Sequence, residues 1–307
     1  MKVNHTKTKF FVVNGSNVEK ESLLVDDLVV EWCDKYVYLG SPFTADVSFS
    51  SSAVRAHATP NIPHVLKFVS FLKKNNDIPF FVKRRVLDAA LMSALLYGCE
   101  SWLTADLKPI TSLYNRCLKE LLGVRRSTCN EVCYIEAGYP PLQQIVMNKQ
   151  HIFFRKMWLQ RSNLVDDPLM FAMNLVLSST SPTSRLIRRY VMTDVGEEHD
   201  DITSSLRNSD SSRRKTYVEL NPCLTVHSIY NTRHTINETH RMSFTRFRVS
   251  SHNLACETGR WNRRGRGRLP LHERVCVCGL VQTEAHVVEH CPNTQHLRES
   301  YQFTTVH

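Results

Sequence analysis

Cys276, Cys278, His286, His290 and Cys291 fall within sixteen residues near the carboxyl end of the chain. Thiolate and imidazole are the donors that hold zinc in closed tetrahedral sites, so this segment carries enough of them for one ion, and five candidates compete for four positions. Cys276, Cys278, His286 and Cys291 are the favoured set. The single residue between the first two cysteines is tighter than the usual spacing of two to four, and Gly279 directly after the pair can relieve the turn. His286 and His290 stand four apart, on one face of any short helix that starts near Glu284, so His290 stays open as a substitute ligand. The competing reading is a set of unrelated thiols and a surface histidine. Against it, the tail is too short and polar to bury a core of its own, and metal binding supplies folding energy in such segments.

Directly upstream, the lysine-free span from Arg241 to Arg274 carries nine arginines against Glu257 and Glu273. Guanidinium forks suit multi-donor contact with phosphate, and Trp261 beside Arg263 and Arg264 offers a face on which an unpaired base can stack. A helix expected over 234–250 presents Arg241 and Arg248 on the approach to the run, and Arg260, Arg266 and Arg268 complete the expected nucleic-acid-binding set here. The competing reading is a solvated basic surface.

Other chemistry is sparse. Adjacent aspartates occur at Asp26-Asp27, Asp166-Asp167 and Asp200-Asp201, but neighbours on a strand point to opposite faces, and Pro168 marks the second pair as a helix cap. No phosphate-binding glycine loop, nucleophile elbow or HExxH pattern is present, so no catalytic residue is assigned. With a formal charge of +10 and a pI near 9.2, the chain suits an anionic partner. The apolar runs are too short to span a bilayer and the start does not read as a signal peptide, so the expected setting is nuclear and/or cytoplasmic, without membrane. The ten cysteines lack a regular framework and read as reduced thiols, some buried and some on metal.

The elements that must position these groups are mainly helical, in an α+β chain. Phe10 to Val13 reads as a short strand ending in a turn at Asn14-Gly15, and a strand pair follows at 24–32 and 35–39, with Gly40, Ser41 and Pro42 ending the run. A helix over about 52–75 must bend or split at Pro60 and Pro63. Pro79 opens a second helix whose outer face shows Lys83 and Arg84; Asp106 caps a third that stops at Gly123, leaving Arg125 and Arg126 outside the bundle. A fourth spans about 142–161, and a shorter one about 168–177. The Ser-, Thr- and Pro-rich stretch that follows reads as a flexible linker, relieved by a helical turn over 184–192. The expected segments are 1–49, strands; 50–177, helical bundle; 178–235, linker; and 236–307, arginine-rich metal-binding tail.

Several strings, taken in order, carry a resemblance: Asn4-His5-Thr6-Lys7-Thr8 before Phe10 to Val13, Tyr36 to Gly40, LLYGCESW from Leu95, NRCLKELLGVRR from Asn115, RVSSHNLACETGRW from Arg248, and the cluster between Thr283-Glu284 and Cys291-Pro292. Together they resemble the carboxyl-terminal part of a non-LTR (LINE-type) retrotransposon reverse transcriptase. The resemblance implies that segment 1–49 is a residual palm edge with a primer grip at Tyr36 to Gly40, and that 50–177 is the thumb and its connection. Lys7, Tyr38 and Gly40 then join the nucleic-acid contacts, and Lys7 is a candidate for assisting the leaving pyrophosphate. The family's paired palm aspartates would lie before Asn4, so the expectation is a chain that holds RNA or an RNA–DNA hybrid without polymerising by itself. Zinc would be structural, and Mg²⁺ would belong only to the full-length RNA-directed DNA polymerase. A retrotransposon ribonucleoprotein is the implied assembly. A free-standing zinc-containing RNA- or DNA-binding protein and a non-functional mobile-element remnant are the competing readings.

Overall fold

The structure is a computed structural model that describes residues 4, 7–12, 20–25, 28–45, 49–160, 168–193, 202–230, 236–261 and 267–301. The chain is mainly helical with small sheets, and it divides into two compact units, residues 1–121 with 139–202 and residues 122–138 with 203–307. Among the described residues no helix is long and apolar enough to cross a membrane.

In the first unit, β1 (Lys9–Phe10) runs parallel to β3 (Leu28–Trp32), which pairs antiparallel with β2 (Leu23–Val25). The expected pairing of 24–32 with 35–39 is replaced by a separate hairpin, β4 (Lys35–Tyr38) against β5 (Ser41–Thr44). The reason is local. Leu39 and Gly40 both have positive φ, 49° and 83°, which is the backbone of a two-residue hairpin turn, so Gly40 connects two strands instead of ending a run. Asn14-Gly15 lies outside the described residues.

α1 (Phe49–Lys74) passes unbroken through Pro60 and Pro63, where a bend or split was expected. Each interior proline costs about 3 kcal/mol. The helix buries Val54, Ala58, Val65, Phe68, Val69 and Leu72, and the side chains of Thr59 and Asn61 donate to the carbonyls of Arg55 and His57 near the missing donors. After Pro79 come α2 (Phe80–Val86), a π-helical stretch Leu87–Met92 and α3 (Ser93–Leu95). Along this segment Leu87, Leu91 and Leu95 form the core face, while Ala90 is exposed. α4 (Lys108–Leu122) starts where Asp106 Oδ1 accepts from the Lys108 N–H at 3.1 Å, ends at Gly123 with φ 74°, and buries Ile110, Tyr114, Cys117, Leu118 and Leu121.

The helical turn expected over 184–192 is a full helix with a buried face, and it takes in residues 182–183 where flexible linker was expected. Ser181 Oγ accepts from the Ser184 N–H at 3.1 Å and caps α8 (Pro182–Met192), whose Ile187, Tyr190 and Val191 close a core with Leu103, and with Met170 and Met173 of α7 (Pro168–Ser178). α6 (Leu142–Leu159) packs along α8, with the Tyr190 hydroxyl donating to Gln150 Oε1 at 3.1 Å.

The second unit gathers α5 (Asn130–Ala137), α9 (Ile202–Arg207), α10 (Ser212–Leu220), α11 (Glu238–Arg248), the short α12 (Ala255–Thr258) and α13 (Gln295–Ser300). α9 and α10 stand where the linker was expected, and they bury Leu206 and Tyr217. At the centre of this unit, Glu136 of α5 is fully buried and accepts from Arg248 Nε (2.8 Å) and Nη2 (3.3 Å) and from the hydroxyls of Tyr217 (2.8 Å) and Tyr230 (2.7 Å). Burial, reinforced by the Glu136 charge, pushes both tyrosine hydroxyls well above their ordinary pKa.

Candidate metal centre and basic surface

The tail folds locally around its cysteines. Val275 bridges Val281, the Cys276 N–H donates to the Leu280 carbonyl at 2.7 Å, and the Gly279 N–H donates back to the Cys276 carbonyl at 2.9 Å. The one-residue gap fits because Val277 turns fully outward, 95% exposed, while Gly279 takes φ 91°. A π-helical turn over His286–His290 then returns the chain, with the His286 N–H held by Thr283 Oγ1 at 3.1 Å.

This brings the metal-binding atoms of Cys276, Cys278, His286 and Cys291 within 4.8 Å of one another. The Sγ atoms of Cys276 and Cys291 are 3.7 Å apart, and Cys278 Sγ lies 3.2 Å from His286 Nε2. Two thiolates bound at about 2.3 Å to a tetrahedral zinc stand about 3.8 Å apart, so the sulfur spacing matches a shared ion and is far too long for a disulfide. All ten cysteines are free. A hydrogen bond from the Cys278 backbone and another from His286 bring the Cys276 thiol down to about 6, toward the thiolate that a metal requires. The group can therefore hold a metal ion such as zinc. His290 is not part of it: its ring is 68% exposed and faces Glu289 at 3.4 Å. The helical phase that puts His286 and His290 on one face does not hold through the wider π turn.

Of the nine arginines in this run, three are internal. Arg241 makes a two-pronged contact with Glu238 at 2.8 and 2.7 Å and is 2% exposed; Arg248 is held by Glu136; Arg274 donates to the carbonyls of Leu269 and Cys256. Arg241 and Arg248, read as nucleic-acid contacts, are thus core ion-pair members. Their spacing of seven residues faces them inward, where carboxylates meet them. Arg260 is half-buried, 2.7 Å from Glu257 and bonded to Ser212 Oγ. Arg246 is exposed while donating to the Gly123 carbonyl, and Arg268 is exposed. Trp261 is 42% exposed with the Arg213 guanidinium 5.5 Å from its ring centre. Arg263, Arg264 and Arg266 lie outside the described residues, as do all three aspartate pairs.

Elsewhere in the second unit, Arg125 is half-buried, with its N–H on Ser251 Oγ (2.8 Å) and its guanidinium on Asn253, and Arg126 is exposed. In the first unit Lys83, expected on the outer face as a nucleic-acid contact, is instead 3% exposed and donates to the Asn76 carbonyl at 3.2 Å, turned into the core side of α2. Arg84 lies 4.8 Å over the Tyr139 ring. Lys7 is exposed beside Asn4, and Tyr38 is 60% exposed. Gly40 sits against Tyr97, whose hydroxyl donates to the Leu39 carbonyl at 2.6 Å.

Two groupings went unread in the sequence. One is the Glu136 cluster, whose members are scattered over 112 residues. The other is His252, Cys256 and Glu284, which converge beside a cavity of about 670 Å³. No protein-family model, curated protein or solved structure matches this chain.

Proposed function

We propose that the chain is a nucleic-acid-binding protein resembling the carboxyl-terminal part of a non-LTR retrotransposon reverse transcriptase, which holds RNA or an RNA–DNA hybrid and does not polymerise by itself. The observation that carries this reading is the compact cluster of Cys276, Cys278, His286 and Cys291 in the same unit as the exposed cations Arg126, Arg246 and Arg268 and the exposed ring of Trp261. Zinc is the ion that suits three thiolates and one imidazole, in a structural role that closes the tail. Phosphate contact needs guanidinium groups that reach water. Arg246 and Arg268 qualify, and Arg263, Arg264 and Arg266 add charge in the same stretch of sequence. Such a chain would work in a retrotransposon ribonucleoprotein, in the nucleus, the cytoplasm or both.

Fluorescence anisotropy with single-stranded RNA, an RNA–DNA hybrid and duplex DNA tests the reading between roughly 50 and 300 mM salt. Setting aside the internally bound Arg241, Arg248 and Arg274 and the Glu257-paired Arg260 leaves five of the nine guanidinium groups, which imply a log-log salt slope of about −3.5 to −4.5. The hybrid is expected to bind at least as tightly as duplex DNA. Binding that is flat in salt overturns the proposal, and so does robust primer extension in Mg²⁺ by the chain alone.

A further inference from the structure

The geometry points to a second metal site, independent of the Cys276 cluster and of the nucleic-acid reading, in which His252, Cys256 and Glu284 hold a zinc-class divalent cation. The imidazole Nε2, the thiol Sγ and the carboxylate all lie within 4.8 Å of one another. Glu284 divides its two oxygens between the partners: Oε1 is 2.8 Å from His252 Nε2, and Oε2 is 3.6 Å from Cys256 Sγ. Around a tetrahedral zinc with ordinary bond lengths, a sulfur and an oxygen ligand stand about 3.6 Å apart, and a nitrogen and an oxygen about 3.3 Å. The sulfur edge therefore already has the length a metal would give it. The His252 contact is to the other oxygen, Oε1, at hydrogen-bond length, so ligation through Oε2 replaces that hydrogen bond with the metal.

The surroundings suit a bound ion. The side chains of His252 and Glu284 are 9% and 12% exposed, and Cys256 is buried, so water competes little for the donors. Local backbone sets the constellation: Ser250 takes φ 50°, its hydroxyl contacts Glu284 Oε1 at 3.1 Å, and the Leu254 N–H bonds His252 Nδ1, leaving Nε2 to face the carboxylate. Cys256 and Glu284 line the cavity of about 670 Å³, whose wall also carries Arg268. Three protein ligands with an open side are the arrangement that leaves zinc a fourth position for water. One thiolate, one imidazole and one carboxylate favour zinc over the hard, oxygen-seeking Mg²⁺ or Ca²⁺. On binding, the Cys256 thiol proton leaves to solvent and the imidazole proton moves from Nε2 to Nδ1, which gives up the Leu254 N–H contact and frees the Nε2 lone pair for the metal.

Elemental analysis of the full chain after equilibration with zinc tests this. Two ions per chain are expected in the native protein, one for each cluster, falling to one in Cys256→Ser and in His252→Gln. In the cobalt-substituted protein, both variants should keep the strong sulfur-to-metal absorption of the Cys276 cluster, which also shows that the tail is folded. Cadmium-113 NMR of the unmutated chain needs no variant: two resonances are expected, one from a three-sulfur site and one from a single-sulfur site. A single zinc per chain, unchanged by either substitution, or a single cadmium resonance, would overturn the second site and leave His252, Cys256 and Glu284 as a hydrogen-bonded bracket. Absence of any metal overturns both sites.

Discussion

Replacing Glu136 by Gln keeps the shape of the side chain and removes its charge. Arg248, only 7% exposed, would then be an interior guanidinium without a counter-charge, and the hydroxyls of Tyr217 and Tyr230 would face a neutral acceptor. Breaking a buried ion pair by removing one partner costs about 3–5 kcal/mol. Each tyrosine hydrogen bond drops from the roughly 1.5–3 kcal/mol typical of a charged acceptor toward about 1 kcal/mol, an effect that overlaps with the first. A loss of about 4 kcal/mol in the second unit is expected, which at an m-value near 2 kcal/mol/M moves its urea midpoint down by roughly 2 M. Hydrogen exchange followed by mass spectrometry across a urea series, read on peptides covering α5 and α11, measures this while peptides from α1 report on the first unit. Pairing the change with Arg248→Met removes both charges, and the double variant should be less destabilised than the two single losses added together. A loss below about 1 kcal/mol for Glu136→Gln, or simple additivity in the double variant, would refute the account of Glu136 as the centre of the unit. It would also reopen Arg248 as a phosphate contact, which by contrast would lower the salt slope of binding without touching stability.

Cys278→Ser should lower zinc content and unfold the tail while the first unit keeps its helices, whereas His290→Ala should spare the metal; elemental analysis with circular dichroism checks both, and equal tolerance of His286→Ala and His290→Ala would sink the ligand assignment. Arg268→Ala should reduce the salt slope of nucleic-acid binding by about 0.7–0.9 with the unfolding midpoint unchanged, because the side chain is exposed; an unaltered slope would remove it from the contact surface. His57 has its pKa lowered by burial, partly offset by its hydrogen bond to the Ala94 carbonyl at 3.0 Å. Its neutral form is the one that folds, so its contribution is complete above about pH 6.5 and is lost as pH falls toward the depressed folded value. Thermal melts of the first unit should therefore lose stability on acidification below about pH 6.5, and His57→Gln should weaken that dependence.

The metal cluster was legible in the sequence because its ligands sit within sixteen residues, close enough for local turns to gather them. His286 was in the favoured set, while His290 stayed open because a helical phase argument cannot anticipate the π turn that carries it out to solvent. Helix positions followed well from apolar period and caps: Asp106 before α4, Pro79 before α2 and the boundary at Leu142 all stand where spacing and punctuation place them. Tertiary structure decided the fate of the charges. Arg241 finds its carboxylate three residues away, yet Arg248 finds Glu136 across 112 residues, and no local pattern distinguishes either from the exposed Arg268. It also decided that Pro60 and Pro63 stay inside one helix, and that the Ser-rich segment contributes α8, α9 and α10. In both cases buried side chains such as Val65, Tyr190 and Tyr217 outweigh a composition that by itself disfavours helix. A sequence displays propensity and spacing along the chain. Whether a charge meets solvent or a buried partner depends on contacts between distant segments, and those exist only once the chain has folded.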